Sequence, residues 1–104
     1  MGSARPRPAR LAGKLLQIRN ALGLSQTEIF RRLGVEDVTD YTSISKYELD
    51  KNEPPLSVLL QYAHIAGVHM EALVDDELDL PEKLPASVNH EEIRRVYKRR
   101  GTKR

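Results

Sequence analysis

Residues 41–48 place polar side chains at helical spacing around two apolar ones. Ile44 and Tyr47 stand three positions apart, as on the buried side of a short helix. The exposed side is left with hydroxyl-bearing side chains and one lysine: Tyr41, Thr42, Ser45 and Lys46. Side chains of these types hydrogen-bond to base edges and phosphate oxygens, so nucleic-acid binding is the chemistry that this stretch can perform.

Lys46 is the one cation between Tyr41 and Glu48. Its ammonium group can donate to O6 and N7 of guanine, a contact that discriminates against other bases by about 1–3 kcal/mol. The simpler interpretation is a solvated lysine paired with Asp50, one helical turn further on. Tyr41 and Thr42 can offer a ring or methyl surface to thymine, or a hydroxyl group to phosphate.

Two amphipathic segments precede this helix. The first is predicted from an apolar stripe at three- and four-residue steps that ends at Gly23: Leu11, Leu15, Ile18 and Leu22. The second begins with the capping box formed by Ser25 and Glu28 and ends at Gly34. Its inward positions are Ile29 and Leu33.

The connection Val35–Asp40 is acidic and longer than the usual helix-to-helix turn of about 3–4 residues. Asp40 or Thr39 can cap the third helix, which we expect to run from about Tyr41 to Asp50. Acidic side chains beside a DNA-binding helix should repel phosphate, so this loop either points away from DNA or contacts something other than its backbone.

Further helices are expected after the Pro54-Pro55 pair. A fourth helix, closed at Gly67, is predicted from the stripe Leu56, Leu59, Leu60 and Ala63. A short fifth helix from Met70 to about Asp76 should bury Met70, Leu73 and Val74. Leu80-Pro81 and Leu84-Pro85 indicate a linker, and a terminal helix is expected from His90 to about Arg100. The predicted organisation is a basic, disordered arm at 1–10, a helical domain at 11–80, and a linker with a basic helix or tail at 81–104.

Charge is distributed unevenly, although the net charge is only +2. No Asp or Glu occurs before Glu28, and arginines and lysines dominate after His90. Basic ends of this kind commonly bind phosphate, although solvated termini also tolerate such residues.

The composition also bounds the function. The chain has no cysteine, so disulfides and thiolate metal sites are excluded and a cytoplasmic location is the simplest expectation. His64 and His69 lack further ligands around them in the sequence, and we expect no metal and no cofactor. We find no paired acid and base, nucleophile motif or phosphate loop, and therefore expect no enzyme. No apolar run approaches the length of a membrane span.

From about Leu15 to Leu78 the sequence resembles the lambda-repressor-like helix-turn-helix family, which includes the phage repressor and Cro domains and their bacterial relatives of the XRE type. Three segments show the similarity best: Leu22-Gly23-Leu24-Ser25-Gln26, Ser43-Ile44-Ser45-Lys46-Tyr47-Glu48 and Ala66-Gly67-Val68. The resemblance implies an all-α, five-helix DNA-binding domain, here with a basic C-terminal helix.

The resemblance also implies roles for individual residues. The third-helix residues that it assigns to the base edges of DNA are Tyr41, Thr42 and Lys46. It places at phosphate or along the groove wall Gln26, Ser43, Ser45, Lys51 and Asn52, and Gln26 would also position the third helix. Arg19 and Glu48 match an internal ion pair. Asp50 departs from the family, which often has glycine at that position.

We therefore expect a sequence-specific transcriptional regulator, more often a repressor than an activator, that binds a double-stranded operator as a homodimer in a bacterial or phage setting. An alternative keeps the fold and assigns it to protein binding, for example as the antitoxin of a toxin pair. In that case a small protein partner would contact the acidic middle of the chain and the side of the tail that bears Tyr97.

Overall fold

The computed structural model describes residues 7–85. Within that range the chain forms five α-helices and no strand, which confirms the all-α prediction: α1 (Leu11–Leu22), α2 (Gln26–Leu33), α3 (Thr42–Glu48), α4 (Leu56–Ala66) and α5 (Met70–Val74). The predicted terminal helix from His90 lies outside the described residues, as do residues 1–6 of the predicted arm.

The corner between α1 and α2 is formed by short-range hydrogen bonds. Gly23 adopts a left-handed φ of 69°, and the Leu24 N–H donates back to the Arg19 carbonyl at 3.1 Å. The Ser25 hydroxyl then accepts from the Glu28 N–H at 3.1 Å, while the Ser25 N–H donates to the Glu28 carboxylate at 2.8 Å. The predicted capping box is therefore confirmed, and it fixes where α2 begins.

The core is built from all five helices. Its fully buried members include Leu15, Ile18, Ile29, Ile44, Val58, Tyr62 and Leu73. Burying a side chain of this size stabilises the fold by about 1.5–3 kcal/mol relative to leaving it in water. Since α1, α2 and α3 contribute to one cluster, their relative orientation is set by packing.

The buried face of α4 differs from the prediction. Leu59 and Ala63 are buried as expected, but Leu56 and Leu60 are 71% and 41% exposed. The prediction of these two was wrong because it followed the leucines alone. The polar residues Ser57, Gln61 and His64 recur at i, i+4 and i+7, and this stripe lies on the outer side of α4, beside Leu56 and Leu60. The core instead receives a column at four-residue spacing: Val58, Tyr62 and Ala66.

The end of the domain also differs in detail. Helix α5 ends at Val74, two residues before the expected Asp76, and Val74 is 37% exposed where burial was predicted. Leu73 is fully buried as expected. Beyond the helix, Leu80 and Leu84 are buried in the core, so packing continues past residue 80, where the sequence pattern indicates a linker.

Helices α1 and α5 satisfy each other's free backbone groups. The Asp76 carboxylate accepts from the N–H groups of Ala9 and Arg10, at 2.8 and 3.0 Å, at the start of α1. In return the buried Lys14 ammonium donates to the carbonyls of Ala72 and Asp75, at 2.7 and 2.9 Å, at the end of α5. A carboxylate at a helix N-terminus and an ammonium at a C-terminus both favour the helix dipoles.

These contacts change the interpretation of the N-terminal basic residues. The Arg10 guanidinium donates to the Asp76 carbonyl at 2.8 Å and pairs with Asp79. Lys14 is only 2% exposed. The excess of positive charge at this end of the sequence is therefore used in part for contacts within the domain, and these two residues do not form a phosphate-binding arm.

Asp76→Asn tests the α1–α5 contact through its pH dependence. Hydrogen bonds from Ala9 and Arg10 hold the pKa of Asp76 below its ordinary value of 3.8. A depressed folded-state pKa contributes stability above the unfolded-state pKa and loses it as the pH falls through the folded-state value. We expect the variant to be less stable than wild type at pH 7 and the difference to shrink below about pH 3, measured by urea denaturation.

The exposed loop variant Asp37→Asn serves as the control and should leave the free energy of unfolding nearly unchanged at pH 7. An Asp76→Asn deficit of the same size at both pH values would contradict a role for the charged carboxylate.

Candidate nucleic-acid interface

A buried carboxylate joins the first three helices. Glu48, at the end of α3, accepts two hydrogen bonds from the Arg19 guanidinium of α1, at 2.7 and 3.1 Å. It accepts a third from the Gln26 amide of α2, at 3.0 Å. The Glu48 side chain is 5% exposed, so the two-pronged pairing with arginine compensates for its burial. The predicted internal Arg19–Glu48 pair is confirmed.

This network sets the position of α3. The Arg19 guanidinium also donates to the Leu24 carbonyl at 3.1 Å, which connects the pair to the corner before α2. Hydrogen bonding to Glu48 raises the pKa of Arg19, so the guanidinium stays charged. Gln26 contacts α3 through Glu48, as expected of a positioning residue, whereas its contact with phosphate remains a prediction.

The two sides of α3 divide as the sequence indicates except at Ser45, which was predicted on the exposed side and is half-buried. Ile44 and Tyr47 are buried in the core. The exposed residues include Tyr41, at 59%, and also Thr42 and Lys46, whereas Ser43 and Ser45 are half-buried. The helix itself is shorter than predicted, Thr42–Glu48 rather than about 41–50. A polar surface about two turns long therefore faces outward on a helix whose inner side is fixed.

Residues of the long connection organise the start of α3. The Asp40 carboxylate accepts from the Thr42 N–H at 3.0 Å and also from the Thr42 hydroxyl, and these bonds lower the pKa of Asp40. Thr39 and Ser43 share a hydrogen bond between their hydroxyl groups. The N-cap position of α3 is Tyr41, which makes no side-chain cap, so the predicted caps Asp40 and Thr39 lie one and two residues before it. Asp40 still accepts from the first N–H of the helix. The hydroxyl hydrogen of Thr42 is thereby donated within the protein, so toward a ligand this hydroxyl can act only as an acceptor.

The start of the connection is anchored in the core by Val35. Val35 is 3% exposed, and its carbonyl accepts from the N–H groups of Val38 and Thr39, at 2.9 and 3.1 Å. Glu36 and Asp37 are exposed. The insertion thus forms a compact turn that presents negative charge beside the N-terminal end of α3.

The turn after the C-terminal end of α3 carries a lysine, Lys51, directly after the acidic Asp50. The Lys51 N–H donates to the Lys46 carbonyl at 2.8 Å, and the Asp50 N–H donates to the Tyr47 carbonyl at 3.2 Å. Asp50 has a left-handed φ of 62°, so the backbone keeps the conformation that glycine favours although the residue is aspartate. Lys51 and Asn52 come directly after it and are exposed.

Two helices in this arrangement, with the second one polar outside and fixed inside, define a helix-turn-helix DNA-binding fold. A family model described as helix-turn-helix matches residues 15–73, more than half of the chain. The chain therefore belongs to the lambda-repressor-like, XRE-type helix-turn-helix family, a family of DNA-binding regulators. Comparisons with curated proteins and with solved structures find no match.

Metal sites and membrane-spanning helices can be assessed directly in the described part of the chain. Over residues 7–85, no group of three or more His, Asp or Glu side chains is placed to hold a metal ion. In the same range no helix combines the length and apolar character needed to cross a membrane.

Tyr62 is a core residue that the sequence pattern did not identify. It is fully buried beneath α3, and its hydroxyl has no hydrogen-bond partner among the described residues. Burial, together with the nearby Glu48 charge, raises the pKa of Tyr62, so the phenol stays neutral. Its four-residue spacing from Val58, on the side of α4 opposite the polar Ser57, Gln61 and His64, was the available signal.

Glu48→Ala tests the network beneath α3. Removing the carboxylate leaves the Arg19 guanidinium half-buried without its partner, and we expect the free energy of unfolding to fall by about 2–3 kcal/mol. Urea denaturation measures the change. Glu36→Ala, which removes an exposed carboxylate from the loop, should change stability by less than about 0.5 kcal/mol. Equal effects of the two substitutions would contradict the structural role of Glu48.

Tyr62→Phe tests the unpaired hydroxyl. Because a buried polar group without a partner is unfavourable, its removal should leave thermal stability unchanged or raise it. A loss of more than about 1 kcal/mol, the value of an ordinary hydrogen bond, would show that the hydroxyl is bonded in solution.

Proposed function

We propose that this chain is a sequence-specific regulator of transcription that inserts α3 into the major groove of double-stranded DNA. The observation that supports this most is the exposed polar face of α3, held from beneath by the Arg19–Glu48–Gln26 network. In this proposal the residues at base edges are Tyr41, Thr42 and Lys46. Lys46 donates to guanine, while Thr42 offers its methyl group to thymine. The Thr42 hydroxyl donates to Asp40, so toward DNA it acts only as an acceptor.

Phosphate contacts in this proposal concentrate at the C-terminal end of α3. The exposed Lys51 and Asn52 lie there, whereas the N-terminal end carries the acids Glu36 and Asp37. The remaining phosphate or groove-wall residues of the proposal are Gln26, Ser43 and Ser45. This asymmetry predicts that α3 approaches DNA with its C-terminal end closer to one phosphate backbone.

We also propose that the chain acts as a homodimer on a two-fold related operator, because one short helix reads only a few base pairs. Leu56 and Leu60, one turn apart on α4, supply exposed apolar surface that a second copy can cover. A protein that occupies an operator can block transcription by its presence alone. Repression is therefore the outcome that we propose. We further propose a bacterial or phage setting, on the basis of the resemblance to phage repressors and their bacterial relatives.

The antitoxin-like alternative has less support. Of the acidic middle that it uses, Asp76 is engaged with the start of α1, whereas Asp79 stays 81% exposed and Glu36 and Asp37 are exposed as well. Exposed acidic residues alone do not identify a protein partner. The Tyr97 side of the tail lies outside the described residues.

The proposed base contacts are tested by removing the Lys46 ammonium and the Thr42 side chain together. The wild-type chain first selects duplexes from a random-sequence pool, which defines an operator. We expect Lys46→Ala with Thr42→Ala to weaken operator binding by about ten-fold or more, since each lost base contact is worth about 1–3 kcal/mol. The measurement is a titration of labelled operator at a fixed salt concentration.

Lys83→Ala is the matched control, since it removes an exposed lysine from the segment after α5. It should change operator affinity by less than about two-fold. An unchanged affinity of the double variant would show that the reading surface lies elsewhere.

A further inference from the structure

Among the described helices, α1, α3 and α4 end with the same pair of backbone hydrogen bonds. After each of them, one N–H donates back five residues and the preceding N–H donates back three. The pivot residues are Gly23, Asp50 and Gly67, with φ values of 69°, 62° and 76°. Glycine adopts this conformation without a steric penalty, whereas a residue with a Cβ does not. Asp50 is the one non-glycine residue with positive φ between residues 7 and 85.

Asp50 contacts an arginine that lies 43 residues earlier in the chain, in the segment before α1. Arg7 donates through Nη2 to the Asp50 carbonyl at 3.3 Å, and the same nitrogen lies 3.8 Å from the Asp50 carboxylate. The two side chains are 40% and 57% exposed. A shallow cleft lies between them, and its lining includes Pro8, Leu11, Tyr47 and Pro54. The segment before α1 is thereby packed against the loop after α3.

The Arg7–Asp50 contact changes the charge beside two residues that bind DNA in the proposed function. Lys51 and Asn52 are exposed, come directly after Asp50 in the chain, and are assigned to phosphate in that proposal. A carboxylate next to Lys51 repels phosphate unless a cation neutralises it. The other charged groups around this turn are Lys46 on α3 and Glu53, which lines the same cleft. Arg7 is the cation that the structure places against Asp50.

We propose that Arg7 is a positioning residue for DNA binding, which acts by neutralising Asp50 and by holding its carbonyl so that Lys51 and Asn52 face the phosphate backbone. The proposal rests on the DNA-binding function proposed above. It predicts that Arg7, which precedes the first helix, influences a contact made after the third helix.

A double-mutant cycle separates this role from direct phosphate binding by Arg7. Affinity for the selected operator duplex is measured for wild type, Arg7→Ala, Asp50→Gly and the double variant, each over a range of salt concentrations. An exposed ion pair supports an effect of up to about five-fold, so we expect Arg7→Ala to weaken binding about three- to five-fold. In the Asp50→Gly background the same substitution should cost less than about two-fold.

The remaining variants sharpen the result. Asp50→Gly alone should bind at least as tightly as wild type, because it removes an acid and fits the left-handed backbone. Arg7→Lys should restore part of the affinity lost in Arg7→Ala. Thermal denaturation of each variant shows whether the fold is retained at the temperature of the binding assay, and affinities are compared for folded variants.

Three results would overturn the proposal. An equal loss from Arg7→Ala in both backgrounds, with a salt slope reduced by about one, would assign Arg7 to direct phosphate contact. An affinity unaffected by Arg7→Ala would remove any role for it while leaving the DNA-binding function in place. If the wild-type chain selects and binds no duplex, the proposed function fails, and the role of Arg7 fails with it.

Discussion

The structure depends first on the buried carboxylate of Glu48. A carboxylate at 5% exposure is unfavourable unless its oxygens are bonded, and here three hydrogen bonds from two other helices meet it. Each of the donor side chains comes from an element that has to be oriented relative to α3: Arg19 from α1 and Gln26 from α2. The hydrogen bonds to this one residue thus reinforce the arrangement of the helices that core packing sets. The polar face of α3 is consequently held at a defined position on the domain.

The remaining elements hold that arrangement in place. Asp76 and Lys14 accept from and donate to the free backbone groups at the ends of α1 and α5. Helix α4 contributes Val58, Tyr62 and Ala66 to the core and packs against α1, α2 and α5. Several charged residues that looked available for a partner are used inside the domain. The surface that remains around α3 has three parts. An acidic turn lies at one end, a lysine lies on its face, and the Lys51–Asn52 pair lies at its other end.

Much of this was predictable from the sequence, because it depends on local rules. The Ser25–Glu28 capping box and the glycine at residue 23 act over a few residues, and the structure confirms them. The Arg19–Glu48 pair was expected only through the family resemblance. The inner face of α4 was predicted only in part because leucines lie on both sides of the helix, and the polar stripe Ser57, Gln61 and His64 that identifies the outer side was not used. The burial of Lys14 was missed because its two acceptors are carbonyls about sixty residues away, and backbone acceptors leave no sequence signal.

The central claim is that the outward face of α3 and the Lys51–Asn52 turn form the DNA-binding surface. It is tested most directly by titrating isotope-labelled full-length protein with the selected operator duplex and following each backbone amide by NMR. The account predicts that the largest shifts fall on residues 41–46 and 51–52, while amides of the α1–α5 contact move little. Shifts concentrated on α4, α5 or the α1–α5 contact, with α3 unaffected, would contradict it.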